Sequence, residues 1–218
     1  MYRFMKHSFM QLWSTKMESY TLRGDNTGNV SAYENGHLKY TITVPDAVKC
    51  VFVEKEILYI FTPTELSIYE VTDVGKNVKK FNIPAKPPIT LFGEKVNGRY
   101  KYAALLAPSG QEIIVLKNSV EDNFETLTIN DEFHELTITA IEGADEYLFS
   151  ADYTGKVVLS QVEGNELKEF VNGSTGSGCC NCLAPMDDKN VFVGCTGGEI
   201  MKVAFNSGDK REFKWIRY

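Results

Sequence analysis

Long apolar runs, histidine and positive charge are all in short supply in this chain. No stretch approaches the ~18 consecutive apolar residues of a membrane-spanning helix. The opening segment MYRFMKHSFMQLWSTKME has no continuous apolar block of the kind a secretory signal needs. It carries Arg3, Lys6 and Lys16 ahead of its first acid, so an organellar presequence is the alternative to a first β-strand beginning close to Met1. Histidine occurs only at positions 7, 37 and 134, too dispersed for a histidine-rich metal site. Cysteine occurs five times, an odd number without a secretion signal, which implies reduced thiols and a cytoplasmic location, with the nucleus as second choice. With 23 basic against 29 acidic residues the net charge is -6, which argues against a broad nucleic-acid-binding surface.

What is present is an ordinary globular composition, 43% hydrophobic over 218 residues, enough for one domain spanning 1–218. Charge is segregated along it. Residues 76–101 hold Lys76, Lys79, Lys80, Lys86, Lys95, Arg99 and Lys101 against Glu94 alone, while 121–146 hold nine acids and no Lys or Arg. Pro84, Pro87 and Pro88 make the basic stretch extended, as a connector would be. A cationic connector can meet an acidic partner, and Lys79, Lys80, Lys86, Arg99 and Lys101 are the candidate contact residues, although most charge runs are only solvated faces.

Helical periodicity is scarce and short strand-like runs dominate, among them ILYIF, LSIYEV, AALLA, IIVL, KVVLSQV and EIMKVAF, bounded by Gly, Asn, Asp and Pro. One unit recurs: a strand, a tight turn, a second strand. It reads YTLRGDNTGNVSAYE, LYIFTPTELSIYE, AALLAPSGQEIIVLK, YLFSADYTGKVVLSQ and VFVGCTGGEIMKVAF. Aligning the turns brings Gly28, Thr64, Gly110, Gly155 and Gly198 into register, at intervals of 36, 46, 45 and 43. Glycine suits a turn position with positive φ, and Thr64 is the exception. Each unit is flanked by further β-prone runs, so four strands recur every ~40–45 residues, the period of a propeller blade.

At this point the chain resembles the WD40 repeat family. ITAIEGADEYLFSADYTGKVVLSQV (residues 138–162) carries the likeness best, followed by CLAPMDDKNVFVGCTGGEIMKVAF and SYTLRGDNTGNVSAYENGHLKYTITV. The Gly-His and Trp-Asp dipeptides of that family are missing; SAYE, SIYE and VLSQ stand where Trp-Asp would fall. The resemblance implies an all-β, WD40-like β-propeller of about five four-stranded blades, with units near 7–44, 45–83, 89–130, 136–171 and 178–218. Such a set would be a complete small ring, or a partial ring completed by a partner or by a longer chain.

The segment FVNGSTGSGCCNCLAP (residues 170–185) invites chemical readings, and each fails on its own terms. Gly173 and Gly178 have phosphate-loop spacing, but Cys179 and Cys180 occupy the lysine and hydroxyl positions that loop requires. Zinc needs four converging ligands. Neighbouring residues on a strand diverge, so Cys179, Cys180, Cys182 and Cys195 offer at most two thiols per face. They are expected to be reduced structural residues on opposite faces of one strand pair. His134, within NDEFHELT, is expected to be structural or solvent-facing rather than a general base, and no G-x-S-x-G occurs. No catalytic residue, metal or cofactor is therefore expected. The reading that results is a non-catalytic protein-interaction scaffold or subunit of a multiprotein complex. The alternative is an accessory subunit of a nucleic-acid-processing or RNA-modifying enzyme, reaching acidic partners through 76–101.

Overall fold

The computed structural model describes residues 20–54, 57–70, 77–82, 86–96, 99–119, 123–206 and 212–218, and every regular element within them is a β-strand. The strand expected near Met1 lies outside the described residues. No helix among them is long and apolar enough to cross a membrane. The chain divides into two compact units, Met1–Pro87 and Pro88–Tyr218.

The first unit holds two sheets. One is β1 (Tyr20–Gly24), β2 (Asn29–Glu34) and β3 (His37–Thr43), and the other is β4 (Cys50–Glu54), β5 (Ile57–Phe61), β6 (Glu65–Glu70) and β7 (Asn77–Asn82), each hydrogen-bonded in chain order. By alignment of the turns, β1 corresponds to the second strand of the four-stranded sheets. The position of a first strand falls before Tyr20, outside the described residues. The second unit holds three four-stranded sheets. They are β8 (Lys86–Val96) to β11 (Asn123–Asn130) through β9 (Arg99–Leu106) and β10 (Ile113–Ser119); β12 (Ile138–Ala144) to β15 (Glu166–Ser174) through β13 (Tyr147–Asp152) and β14 (Lys156–Glu163); and β16 (Cys180–Pro185) to β19 (Glu212–Arg217) through β17 (Asn190–Cys195) and β18 (Ile200–Asn206).

The two-residue side-chain period of a strand explains how these sheets stack. In the fourth sheet Leu148 and Val158 join Phe92, Ala104, Ile113 and Val115 of the third in one apolar cluster. Their neighbours Phe149, Ala151, Val157 and Leu159 join Leu183, Val191, Val193 and Val203 of the fifth in another. A middle strand is thus apolar on both faces, as ILYIF of β5 is buried throughout. Last strands alternate weakly and face out, as β19 and β3 do. First strands of adjacent sheets run side by side: Thr139 Oγ1 donates to Cys180 O, and Gly143 N donates to Thr90 Oγ1 at 2.9 Å. A Cβ on Gly143 would overlap the Leu91 carbonyl, so only glycine allows that approach.

The recurring turns are built as the glycines imply, with φ of 88° at Gly28, 76° at Gly110, 89° at Gly155 and 85° at Gly198. Each of these glycines donates its N–H to the carbonyl three residues earlier, Asp25, Ala107, Asp152 or Cys195. Thr64 is not a substitute for the glycine. The second sheet's turn is a residue shorter, closed by Thr62 N to Glu65 O at 2.9 Å, where Asp25 N reaches Asn29 O and Cys195 N reaches Glu199 O. The Thr62 hydroxyl accepts from Thr64 N and Glu65 N instead. A two-residue loop needs no positive φ here, so the glycine position is deleted rather than filled.

Candidate functional site

Among the described residues, a buried constellation of catalytic residue types forms where the loop before β12 crosses the end of β13. The turn begins with Asp152, whose Oδ1 accepts from Thr154 N (2.8 Å), Thr154 Oγ1 (2.6 Å) and Lys156 N (3.1 Å). That leaves Oδ2 for His134 Nδ1 at 3.0 Å. On its other side the imidazole Nε2 lies 2.7 Å from Ser150 Oγ. Burial holds the His134 pKa below its ordinary value, against the raising influence of Asp152. Burial also acts on Asp152, upward, but the hydrogen bonds from Thr154 and His134 more than offset it and its pKa is lowered. The consistent proton arrangement is a neutral imidazole donating from Nδ1 to an ionised carboxylate and accepting the Ser150 hydroxyl at Nε2.

Serine, histidine and aspartate in that order are the parts of an acyl-transfer triad. Here they cannot act as one in this conformation, because the nucleophile has no access. Ser150, Asp152 and His134 are 0%, 1% and 4% exposed. The network is a clasp. Lys156 Nζ completes it by donating to Phe133 O at 2.6 Å, so the loop 131–137 is tied down at two adjacent residues. The structural role expected of His134 is met, but Ser150 and Asp152 were not singled out. Their signal was the spacing of 16 and 18 residues from His134 into a turn of the repeating type.

Among the cysteines all five are free thiols. Cys180 and Cys195 stand opposite one another across β16 and β17 and are buried, at 0% and 5% exposure. Thr196 N donates to Cys179 O, which marks the pair as the closer, non-hydrogen-bonded kind. It is therefore Cys180, not Cys179, that meets Cys195. A register shift between Cys180 and Cys182 turns Cys182 to the other face, where its Sγ lies 2.7 Å from where a Cβ on Gly194 would be. Burial, with Cys195 close by, pushes the Cys180 thiol up to about 12. No group of three or more metal-ligating side chains converges among the described residues.

The basic residues are placed differently from one another. Lys79 and Lys80 lie in β7, and the exposed Lys80 ammonium pairs with Glu65 at 3.1 Å. Lys86 is exposed where β8 opens, and Arg99 opens β9, so the two lie at opposite ends of the β8–β9 hairpin. Lys101 is half-buried, its Nζ 5.4 Å from the Tyr102 ring centroid. Lys95, nearby in sequence, lies 4.2 Å from the Tyr100 ring centroid.

No protein-family model matches the chain, and no curated protein sequence does. Solved structures do. BamB from Moraxella catarrhalis matches with a TM-score of 0.70 at 14% identity, over 90% of this chain and 58% of that one. The β-propeller domain of Cps50 (Swd1) from Myceliophteria thermophila matches with 0.72 at 11% identity, over 96% and 70%. The WD40 repeats of RRP9 match with 0.70 at 14% identity, over 91% and 62%. This chain thus spans 58–70% of the length of these structures. At such identities the likeness concerns the fold, and the fold is that of a WD40-like β-propeller, in five antiparallel sheets.

Proposed function

We propose that this chain is a non-catalytic scaffold, a cytoplasmic subunit of a multiprotein complex that binds protein partners through strand ends and loops. The observation that supports this most is the sealed Ser150–His134–Asp152 clasp. The fourth sheet uses these residue types to hold a loop in place, and the residues left exposed on that loop are Asp131, Glu132, Glu135, Leu136 and Thr137. The β-propeller domain of Cps50 (Swd1) and the WD40 repeats of RRP9 share the fold this role would use, and fold alone does not assign function.

Within that reading, Lys79, Lys80, Lys86, Arg99 and Lys101 contact a protein with an acidic surface. Complementary charge accelerates encounter and selects among partners more than it adds affinity. The test is a Lys79→Glu, Lys80→Glu, Lys86→Glu variant, assayed by recovery of co-purifying proteins from native extract at low and high salt. Recovery should fall most at low salt, with stability altered by less than about 0.5 kcal/mol per site. Unchanged recovery at every salt concentration removes these residues from the interface. Salt-dependent binding of RNA by the wild type, lost in the variant, would replace the protein partner with a nucleic acid.

A further inference from the structure

Two loops meet at one end of the fourth sheet, and both are held from beneath. Tyr153 N donates to Thr137 O at 3.0 Å, alongside the His134 and Lys156 contacts that fix Phe133 and His134 inward. The residues left pointing outward include two large apolar ones, Leu136 at 44% and Tyr153 at 64% exposure. Asp131, Glu132 and Glu135 are exposed on the same loop. Lys156, whose ammonium reaches this loop, is engaged with Phe133 O at 2.6 Å. Farther along the same end, on the fifth sheet, Arg217 pairs with Glu199 at 3.7 Å and donates to Ser177 at 3.1 Å.

An exposed tyrosine beside an exposed leucine on loops already ordered has lost much of the entropy that binding would otherwise cost. Tyrosine also offers large, rigid contact area at few rotatable bonds. Three exposed carboxylates on the loop that carries Leu136 repel an acidic segment or a nucleic-acid backbone and attract a cationic one. We propose that Leu136 and Tyr153, bordered by Asp131, Glu132 and Glu135, form a docking surface for an extended Lys/Arg-bearing segment of a partner protein that seats an aliphatic side chain against Tyr153. None of these residues belongs to the basic set Lys79, Lys80, Lys86, Arg99 and Lys101, so loss of binding at one surface leaves the other untouched.

The probe is a fluorescein-labelled nine-residue peptide repeating Lys-Arg-Leu, followed by anisotropy with the full chain, against a counterpart repeating Glu-Asp-Leu. The expected result is saturable binding of the basic peptide only, weakened by salt. Glu132→Lys combined with Glu135→Lys should weaken it by at least about tenfold. Tyr153→Ala should weaken it several-fold at both low and high salt, because the apolar contact is not screened. Glu163→Lys combined with Glu166→Lys makes the same change of charge on the β14–β15 turn, at the other end of the sheet, and should leave binding unchanged. Equal weakening by the two double variants would reduce the effect to net charge and overturn the proposal, as would an absence of binding by the wild type. Salt-sensitive self-association in sedimentation that the peptide fails to displace would assign the surface to a second copy, which also overturns it.

Discussion

The turns that end β13 and β17 share a backbone and differ in what they do with it. In both, a positive-φ glycine closes back on the first turn residue, Gly155 N to Asp152 O at 3.2 Å and Gly198 N to Cys195 O at 3.0 Å. In the fourth sheet that first residue is an aspartate that takes three donors from its own turn and a fourth from His134. In the fifth it is a cysteine facing Cys180 across the strand pair. One sheet holds its preceding loop with a buried polar network; the other fills the same position with two small thiols in an apolar cluster. The β1–β2 turn adds a third version. Asp25 there accepts from Thr27 and Asn29 in the same local pattern, but it is not fully buried. Backbone geometry is the common part, and the side chain at the first turn position decides whether the turn also grips a distant loop.

The largest effect should come from breaking the grip. His134→Ala leaves Asp152 and Ser150 buried without their partner and should cost about 2–4 kcal/mol. Cys195→Ala removes one sulfur from an apolar cluster and should cost about 1 kcal/mol. Asp25→Ala, which loses only local hydrogen bonds at a partly solvated turn, should cost about 1 kcal/mol or less. Urea midpoints of the three variants measure the order. If His134→Ala proves no more costly than Cys195→Ala, the polar clasp contributes no more than the thiol pair.

A smaller effect is expected in the pH dependence, where two groups oppose one another. The folded His134 pKa lies below the ordinary 6.5, so the unfolded chain takes up its proton first and stability falls as pH drops below 6.5. Glu142, on β12, is the reverse case. Burial raises its carboxyl to about 7, despite a lowering hydrogen bond from Thr90. The folded state therefore holds the proton that the unfolded state releases near 4.5, and stability falls as pH rises from about 4.5 to about 7 and is flat above. Glu142→Gln should remove that loss and raise the melting temperature at pH 8 relative to pH 5. His134→Asn should flatten the acid side below pH 6.5. Parallel pH profiles for wild type and both variants would mean that neither group differs between folded and unfolded states.

The smallest effect is on thiol reactivity. With a disulfide reagent at pH 8, the half-buried Cys179 and Cys182 should react before Cys50, Cys180 and Cys195, all three of which are buried. The slowest should be Cys180, with its thiol pushed up to about 12. Peptide mapping after brief labelling reads the order. Prior labelling of Cys180 or Cys195 would show that the fifth sheet opens more readily than its packing implies.

How much of this was legible depends on the range over which each residue acts. The turns at Gly28, Gly110, Gly155 and Gly198 could be read because a tight turn with positive φ leaves few alternatives to glycine. Thr64 misled, because a one-residue deletion and a substitution look alike without the hydrogen bond that closes the turn. Alternation along a strand was legible, but the register shift after Cys180 was not, so the turning of Cys182 away from the face of Cys180 could not be read. The basic run 76–101 was plain as composition. Its continuity as a surface was not, since consecutive residues on a strand diverge and a hairpin carries its two ends apart.

By itself the sequence determined the all-β class, the repeat of about 40–45 residues and the turn positions, because period-two patterning and positive-φ glycines act over a few neighbouring residues. Only the tertiary structure decided that His134 serves Asp152 and Ser150, that Gly143 must have no side chain beside Leu91, and that Leu136 and Tyr153 are left facing out together. Each of those depends on residues brought from other strands or loops, where burial and hydrogen-bond geometry, not local preference, set the outcome.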